Sequence, residues 1–179
     1  MKVFILFCVF ILSVFCGYSQ ILRTDSMTIQ FISDALLEKI EARSVEAKGV
    51  LDKETKHFAF EINVSSFLGF NNDLQRIHFL ENYMEINKYT KATFTGRLLD
   101  DLGSVSNSFI KVKSKGSMNI HGVNDERILN VEIKENDLGG YDFKCSFIVK
   151  LIDHNIAIPR IVHHKISEEI EVNVSGTLK

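Results

Sequence analysis

Residues 141–152 read YDFKCSFIVKLI, and their alternation decides the fold. Tyr141, Phe143, Cys145, Phe147, Val149 and Leu151 share one parity. Asp142, Lys144, Ser146 and Lys150 share the other, with Ile148 and Ile152 as exceptions. A period of two in aromatic and β-branched residues marks a strand buried on one face and wet on the other. HFAFEINV (57–64) repeats the pattern, with Phe58, Phe60, Ile62 and Val64 opposed to His57, Glu61 and Asn63.

Outward from these two stretches the same reading gives six more strands: SMTIQFIS (26–33), IEARSVEAKGVL (40–51), ATFTGRLL (92–99), SFIKVKSKGSMNIHG (108–122), RILNVEIK (127–134) and ISEEIEVNVSG (166–176). Between them lie LDKET, LDDLG, VNDE and ENDLGG, rich in the Asp, Asn and Gly that turns use. In 40–51 the apolar phase slips between Ala42 and Val45, which a bulge near Ser44 explains. FNNDLQRIHFLENYM (70–84) departs from alternation. Leu74, Ile77, Leu80 and Met84 fall at helical spacing, Asn71 or Asn72 can cap, and Asp73 suits the positive end of a helix.

The expectation is an all-β, eight-stranded antiparallel domain with one short helical insertion between strands three and four. Eight such strands close into a barrel or stack as a sandwich. Gly116, inside the long strand 108–122, relieves crowding at a bend and favours closure. An eight-stranded barrel is filled by its own side chains or holds one small ligand. Periodicity leaves both outcomes open.

The N-terminus has a separate logic. MKVFILFCVFILSVFCGYSQ opens with Lys2, runs apolar from Val3 to Phe15 and ends small and polar. That is the pattern of a secretory signal peptide, too short to span a bilayer where ~20 apolar residues are needed. The expected cut falls between Ser19 and Gln20, giving a signal over 1–19, a domain over 20–179 and a periplasmic or secreted product. Lipidation at Cys16 is the second choice, because the bulky Phe15 beside it fits poorly where small residues are wanted. Removing the signal takes only Lys2 from the 21 basic residues against 23 acidic ones, so the net charge moves from −2 to −3. No basic footprint for nucleic acid or for an anionic membrane surface is present. Only Cys145 remains outside the signal, so no internal disulfide is expected.

Candidate chemistry is sparse. His121 shares the parity of Lys111, Lys113 and Lys115, which reads as a polar, solvated or structural position rather than a catalytic one. His154, His163 and His164 read as surface histidines. On an extended segment the last two would point to opposite faces and would not share a metal ion. Cys145 lies on the apolar parity, where a thiol acts as an inert small hydrophobe. Asp100-Asp101 and Glu168-Glu169 read as solvated charge. The sequons at Asn63 and Asn173 fall inside strands and carry no weight. No nucleophile elbow, phosphate loop or zinc-binding H-E-x-x-H motif occurs. Four of the 14 Phe lie in the signal; of the other ten, Phe58, Phe60, Phe94, Phe143 and Phe147 lie on inward parities, and Phe67, Phe70 and Phe79 crowd the helical insertion. That composition suits an ordinary core and an apolar pocket equally.

Three segments in order resemble the YceI-like proteins. HFLENYMEINKYTKATFTG (78–96) resembles the stretch in which a short helix leads to K-Y-P-x-A-T-F-x-G. KGSMNIHGVNDERILNV (115–131) resembles the strand-turn-strand around I-H-G-V. FIVKLIDHNIAIP followed by KISEEIEVNVSG resembles the closing strands around D-x-x-I-x-x-P. Thr90 stands where the family usually has Pro, and Leu80 where Asn is common. The resemblance implies a lipocalin-like barrel, exported, with an apolar tunnel for a polyisoprenoid or quinone-like lipid, and neither catalysis, cofactor nor metal. It implies a tunnel lined by Phe58, Phe60 and Ile62 of strand three and Phe94 of strand four. Ile110, Val112, Met118 and Ile120 of strand five and Phe143, Phe147 and Val149 of strand seven complete that wall. Phe70, Phe79 and Tyr83 of the insertion would shape one end. A barrel packed solid, serving an exported interaction or stress role, is the alternative, and a homodimer through a barrel edge or mouth is left open. An enzyme using the barrel as its pocket is the weaker third reading, with Tyr141 and Cys145 as its only titratable inward groups.

Overall fold

The computed structural model describes residues 21–179. The expected signal, the Ser19–Gln20 cut, Cys8 and Cys16 lie outside them. The chain forms nine strands: β1 (Ile21–Asp34), β2 (Lys39–Ser44), β3 (Lys48–Asp52), β4 (His57–Asn63), β5 (Lys91–Leu98), β6 (Ile110–Ile120), β7 (Val123–Glu135), β8 (Tyr141–Lys150) and β9 (Glu169–Leu178). From β3 to β9 each strand pairs antiparallel with the next, and β1 pairs with both β9 and β3, closing the sheet on itself. Closure leaves free sheet edge only on β2, which meets Leu68 alone on its other side, and on β7 and β8 beyond their pairing over 132–135 and 141–144.

Nine strands occupy eight positions, because β2 and β3 are one side of the barrel interrupted at 45–47. β1 pairs first with β3 through Ile21–Arg23 and then with β2 through Ile29–Asp34. The anticipated bulge near Ser44 is therefore a full break. The Ser44 hydroxyl accepts the Glu46 N–H (3.1 Å) and meets the Ser66 hydroxyl at 2.6 Å, supplying the turn with a partner the ladder would otherwise provide. Val45 turns out to solvent while Ala47 is buried. The helical insertion consequently follows the fourth strand rather than the third. Its residues are those expected; its ordinal is not.

The insertion is α1 (Asp73–His78), running into a π-helical turn over Phe79–Tyr83. Asn72 caps it, its side chain accepting the Gln75 N–H at 2.9 Å, and Asp73 sits in the first turn. No residue of α1 is buried. It is held from outside by Arg76, which donates to the carbonyls of Phe67 (3.1 Å) and Ser65 (2.8 Å).

The up-and-down course sorts the connections to two ends. The hairpin tip 35–38, the insertion 64–90, the turn 121–122 and the long connection 151–168 lie at one end. The connections 53–56, 99–109 and 136–140 lie at the other, beside the C-terminus. This second end is closed by buried Leu98, Leu102, Val105, Tyr141 and Leu178. The bend expected at Gly116 is present and has a partner. Gly96 of β5 faces Gly116 of β6. A Cβ on either would lie 2.2–2.3 Å from a backbone oxygen of the opposite strand, so only glycine admits this approach.

Candidate functional site

Inward parities of all eight barrel positions converge on one cavity of about 550 Å³. That lies within the ~300–1,000 Å³ typical of small-molecule sites. Its wall holds two aromatic groups. Near the closed end Phe58, Phe60, Phe94 and Phe143 are linked by ring contacts, with centroids 5.0 Å apart for Phe58–Phe94 and 5.7 Å for Phe60–Phe143. Near the insertion end Phe31, Phe67, Phe70 and Phe79 form the second group, with Phe79 5.2 Å from Phe31 and 5.1 Å from Phe70. Gly49 makes room for the first: a Cβ there would sit 1.9 Å from the Phe60 ring.

Of the residues expected to line a tunnel, Phe58, Phe60, Ile62, Phe70, Phe79, Tyr83, Phe94, Met118, Ile120, Phe143, Phe147 and Val149 face this space. Ile110 and Val112 do not; they pack into the core at the closed end of β6. Met27, Ile29 and Phe31 of β1, Leu129, Val131 and Ile133 of β7, and Ile170, Val172 and Val174 of β9 line the cavity although no role was assigned to them. The same alternation points them inward, and closure obliges every strand to contribute.

Three polar groups on the wall are committed to the protein's own backbone. The Ser114 hydroxyl donates to the Leu129 carbonyl (3.3 Å), and the Ser33 hydroxyl accepts the Ser167 N–H (2.9 Å). The Cys145 thiol donates to the Asn130 carbonyl (3.3 Å), and burial pushes its pKa up to about 11. It is a thiol, not a thiolate, at neutral pH. Burial also raises the Tyr83 phenol above its ordinary value. The interior thus offers carbon rather than free donors or acceptors.

Polar groups gather at the mouth instead, where the cavity is bordered by Glu38, Asn72, Gln75, His78 and Lys165. Gln75 donates to Glu38 (3.0 Å), and the Leu37 N–H donates to the His164 carbonyl (2.9 Å). These bonds join α1, the β1–β2 hairpin and the 151–168 connection into one rim.

The histidines depart from expectation. β6 ends at Ile120, so His121 is not on the lysine face: it opens the two-residue turn His121-Gly122, both in the left-handed region at φ 52° and 74°. Alternation stops at a strand's end, and the side chain is buried rather than solvated. Nδ1 lies 3.0 Å from the His154 carbonyl, Nε2 lies 3.3 Å from a Glu85 carboxylate oxygen, and the ring meets Tyr89 edge-on at 4.5 Å. His154, expected at the surface, is 0 % exposed. It sits in a 3-10 turn (Leu151–His154) that tucks it under the barrel end. His163 and His164 are exposed, but their ring centroids are 3.6 Å apart rather than on opposite faces, because a helical turn and not a strand carries them. Among the described residues no three His, Cys, Asp or Glu side chains are placed to hold a metal ion.

The fold recurs in solved structures. A polyisoprenoid binding domain from Saccharophagus degradans, implicated in plant cell wall breakdown, superposes with a TM-score of 0.77 at 14% identity, covering 88% of this chain and 97% of that one. BcnA of Burkholderia cenocepacia gives 0.68 at 16%, covering 84% and 95%. The YCEI protein of Campylobacter jejuni gives 0.56 at 21%, covering 74% and 80%. At these identities the likeness concerns the fold. No curated protein sequence matches the chain. The sequence model of the YceI-like domain matches residues 22–178, nearly every residue of the barrel just described, and the chain belongs to that family.

Proposed function

We propose that this protein is a non-enzymatic carrier that holds an isoprenoid-type lipid inside its barrel, exported by the signal expected over residues 1–19. The observation that carries the reading is the cavity of about 550 Å³, walled by two aromatic groups and lacking uncommitted polar groups in its depth. Burying an apolar chain there is worth ~0.8 kcal/mol per CH₂ before ordering costs, so a branched hydrocarbon tail suffices for affinity. The YceI-like fold, shared with a domain described as polyisoprenoid binding, supports the same ligand class.

The rim favours a neutral head group. The permanent charges that line the cavity are Glu38, Glu61 and Lys165, with Arg160 outside the lining, and Glu61 already bonds Lys91 at 3.0 Å. A diphosphate calls for several cations in fork geometry, whereas the amides of Asn72 and Gln75 suit the carbonyls of a quinone.

The test is native mass spectrometry of the protein expressed with its own leader and purified without detergent, followed by organic extraction. A stoichiometric adduct that extracts as an isoprenoid or quinone is expected. Phe147→Ala and Phe94→Ala should each weaken retention about tenfold or more, as the loss of one buried ring implies. A bare mass that also refuses added isoprenoids would end the carrier reading.

A further inference from the structure

The cavity mouth carries a second apolar surface, on its outside. Leu36 at the β1–β2 tip is 83% exposed and Ile161 in the 151–168 connection is 92% exposed. Leu37 and Leu74 stand out beside them. These residues lie on the three segments that the Leu37–His164 and Gln75–Glu38 bonds hold together around the opening. Leu74 both lines the cavity and faces solvent, so the apolar interior continues without interruption onto this rim.

An isolated exposed leucine needs no explanation, but a ring of them around the entrance to an apolar cavity does. The flanking charge narrows the choice of partner. PRIVHHK (159–165) places Arg160 and Lys165 around Ile161 with two exposed histidines and no acid. Neither cation belongs to an ion pair among the described residues. Apolar tips flanked by long cationic side chains suit a bilayer interface, where the tips enter the acyl region and the cations reach the phosphates. Glu38 and Asp73 stand on the same rim, with Glu38 engaged by Asn71 and Gln75, so the attraction to anionic head groups is local to 159–165 and the contact is mainly apolar, although the chain as a whole is acidic and has no general basic footprint.

We infer that the mouth rim is a membrane-docking surface: the protein seats its open end on a lipid monolayer through Leu36, Leu37, Leu74 and Ile161, with Arg160 and Lys165 on anionic head groups. The inference rests on the carrier reading for its purpose. A lipid with a long apolar tail is then exchanged between bilayer and cavity without crossing water.

The chain contains no Trp, so one introduced indole reports alone. Leu36→Trp, Ile161→Trp and, as control, Leu138→Trp would be made in the full-length chain and purified without detergent. Leu138 is 72% exposed but lies in the connection at the opposite end. With mixed phosphatidylethanolamine–phosphatidylglycerol vesicles, emission from positions 36 and 161 should shift to the blue and be quenched by bromine on the acyl chains, and position 138 should not respond. Leu36→Asp with Ile161→Asp should reduce vesicle association by about tenfold for each change. Silent reporters at 36 and 161, an equal response at 138, or a blue shift that needs only a second copy of the chain and no vesicle would each overturn the docking surface. An adduct present with silent reporters sinks docking alone. Responsive reporters on a protein that never binds lipid sink the carrier reading alone.

Discussion

His154 shows how much a single side chain can depend on where a turn places it. With no exposure to solvent, its charged form is disfavoured, and desolvation lowers its pKa against the pull of Asp125 and Asp153 and the backbone of Ile120, with Arg127 adding to the lowering. In the unfolded chain the imidazole titrates near its reference value of about 6.5. The folded protein binds that proton only at lower pH, so its stability contribution is complete above ~6.5 and is lost as pH falls from there through the folded value. Urea midpoints should therefore drop between pH 8 and pH 5.5, and His154→Gln should flatten that drop. An unchanged slope in the variant would mean that His154 does not carry the effect. The buried state of His154 and His121 was not legible from parity, because both sit just beyond a strand where a period of two no longer applies. The inward Phe residues were legible for the converse reason: Phe58, Phe60, Phe94, Phe143 and Phe147 lie within uninterrupted ladders.

At the scale of an element, β5 and β6 carry the curvature on which closure depends. Gly96 and Gly116 face each other across the ladder, and the backbones approach too closely for any side chain. Gly116→Ala would put a Cβ 2.3 Å from the Thr95 carbonyl oxygen. Strand backbone cannot yield as a flexible side chain does, so the overpacking cost should be about 1–3 kcal/mol. Thermal unfolding reads this as a midpoint lower by several degrees; an unchanged midpoint would mean that the strands separate freely at the bend. The sequence marked Gly116 as a bend but not its partner, since register is a property of two strands and neither states it alone. Likewise the phase slip near Ser44 revealed an irregularity, while its depth depended on Ser66, twenty-two positions away. The strands themselves, and the cap of α1 at Asn72, were legible because they rest on local periodicity and local hydrogen bonds.

For the whole molecule the question is why a barrel should be hollow. A closed dry void of about 550 Å³ would cost roughly 13 kcal/mol at ~24 cal/mol per Å³, comparable to the entire ~5–15 kcal/mol stability of a domain. The open mouth admits water, but water against an apolar wall forfeits the hydrophobic term instead. Neither empty state is favourable, so a barrel of this construction is stabilised by whatever fills it with carbon. No pattern in the sequence conveyed this, because a filled core and a lined cavity use the same residues. The consequence is measurable as linkage. Ligand that binds only the folded barrel adds ~2.7 kcal/mol when free ligand stands 100-fold above Kd. At about 2–4 °C per kcal/mol for a domain of this size, the carrier reading predicts that extraction of the bound lipid lowers the unfolding midpoint by about 5–10 °C. Added long-chain isoprenoid quinone should restore it, and a short-chain analogue should restore less, since each missing isoprene unit leaves wall area uncovered. A midpoint indifferent to extraction and to both additions would mean that Phe58, Phe94 and Phe143 are already packed against one another as tightly as the barrel needs.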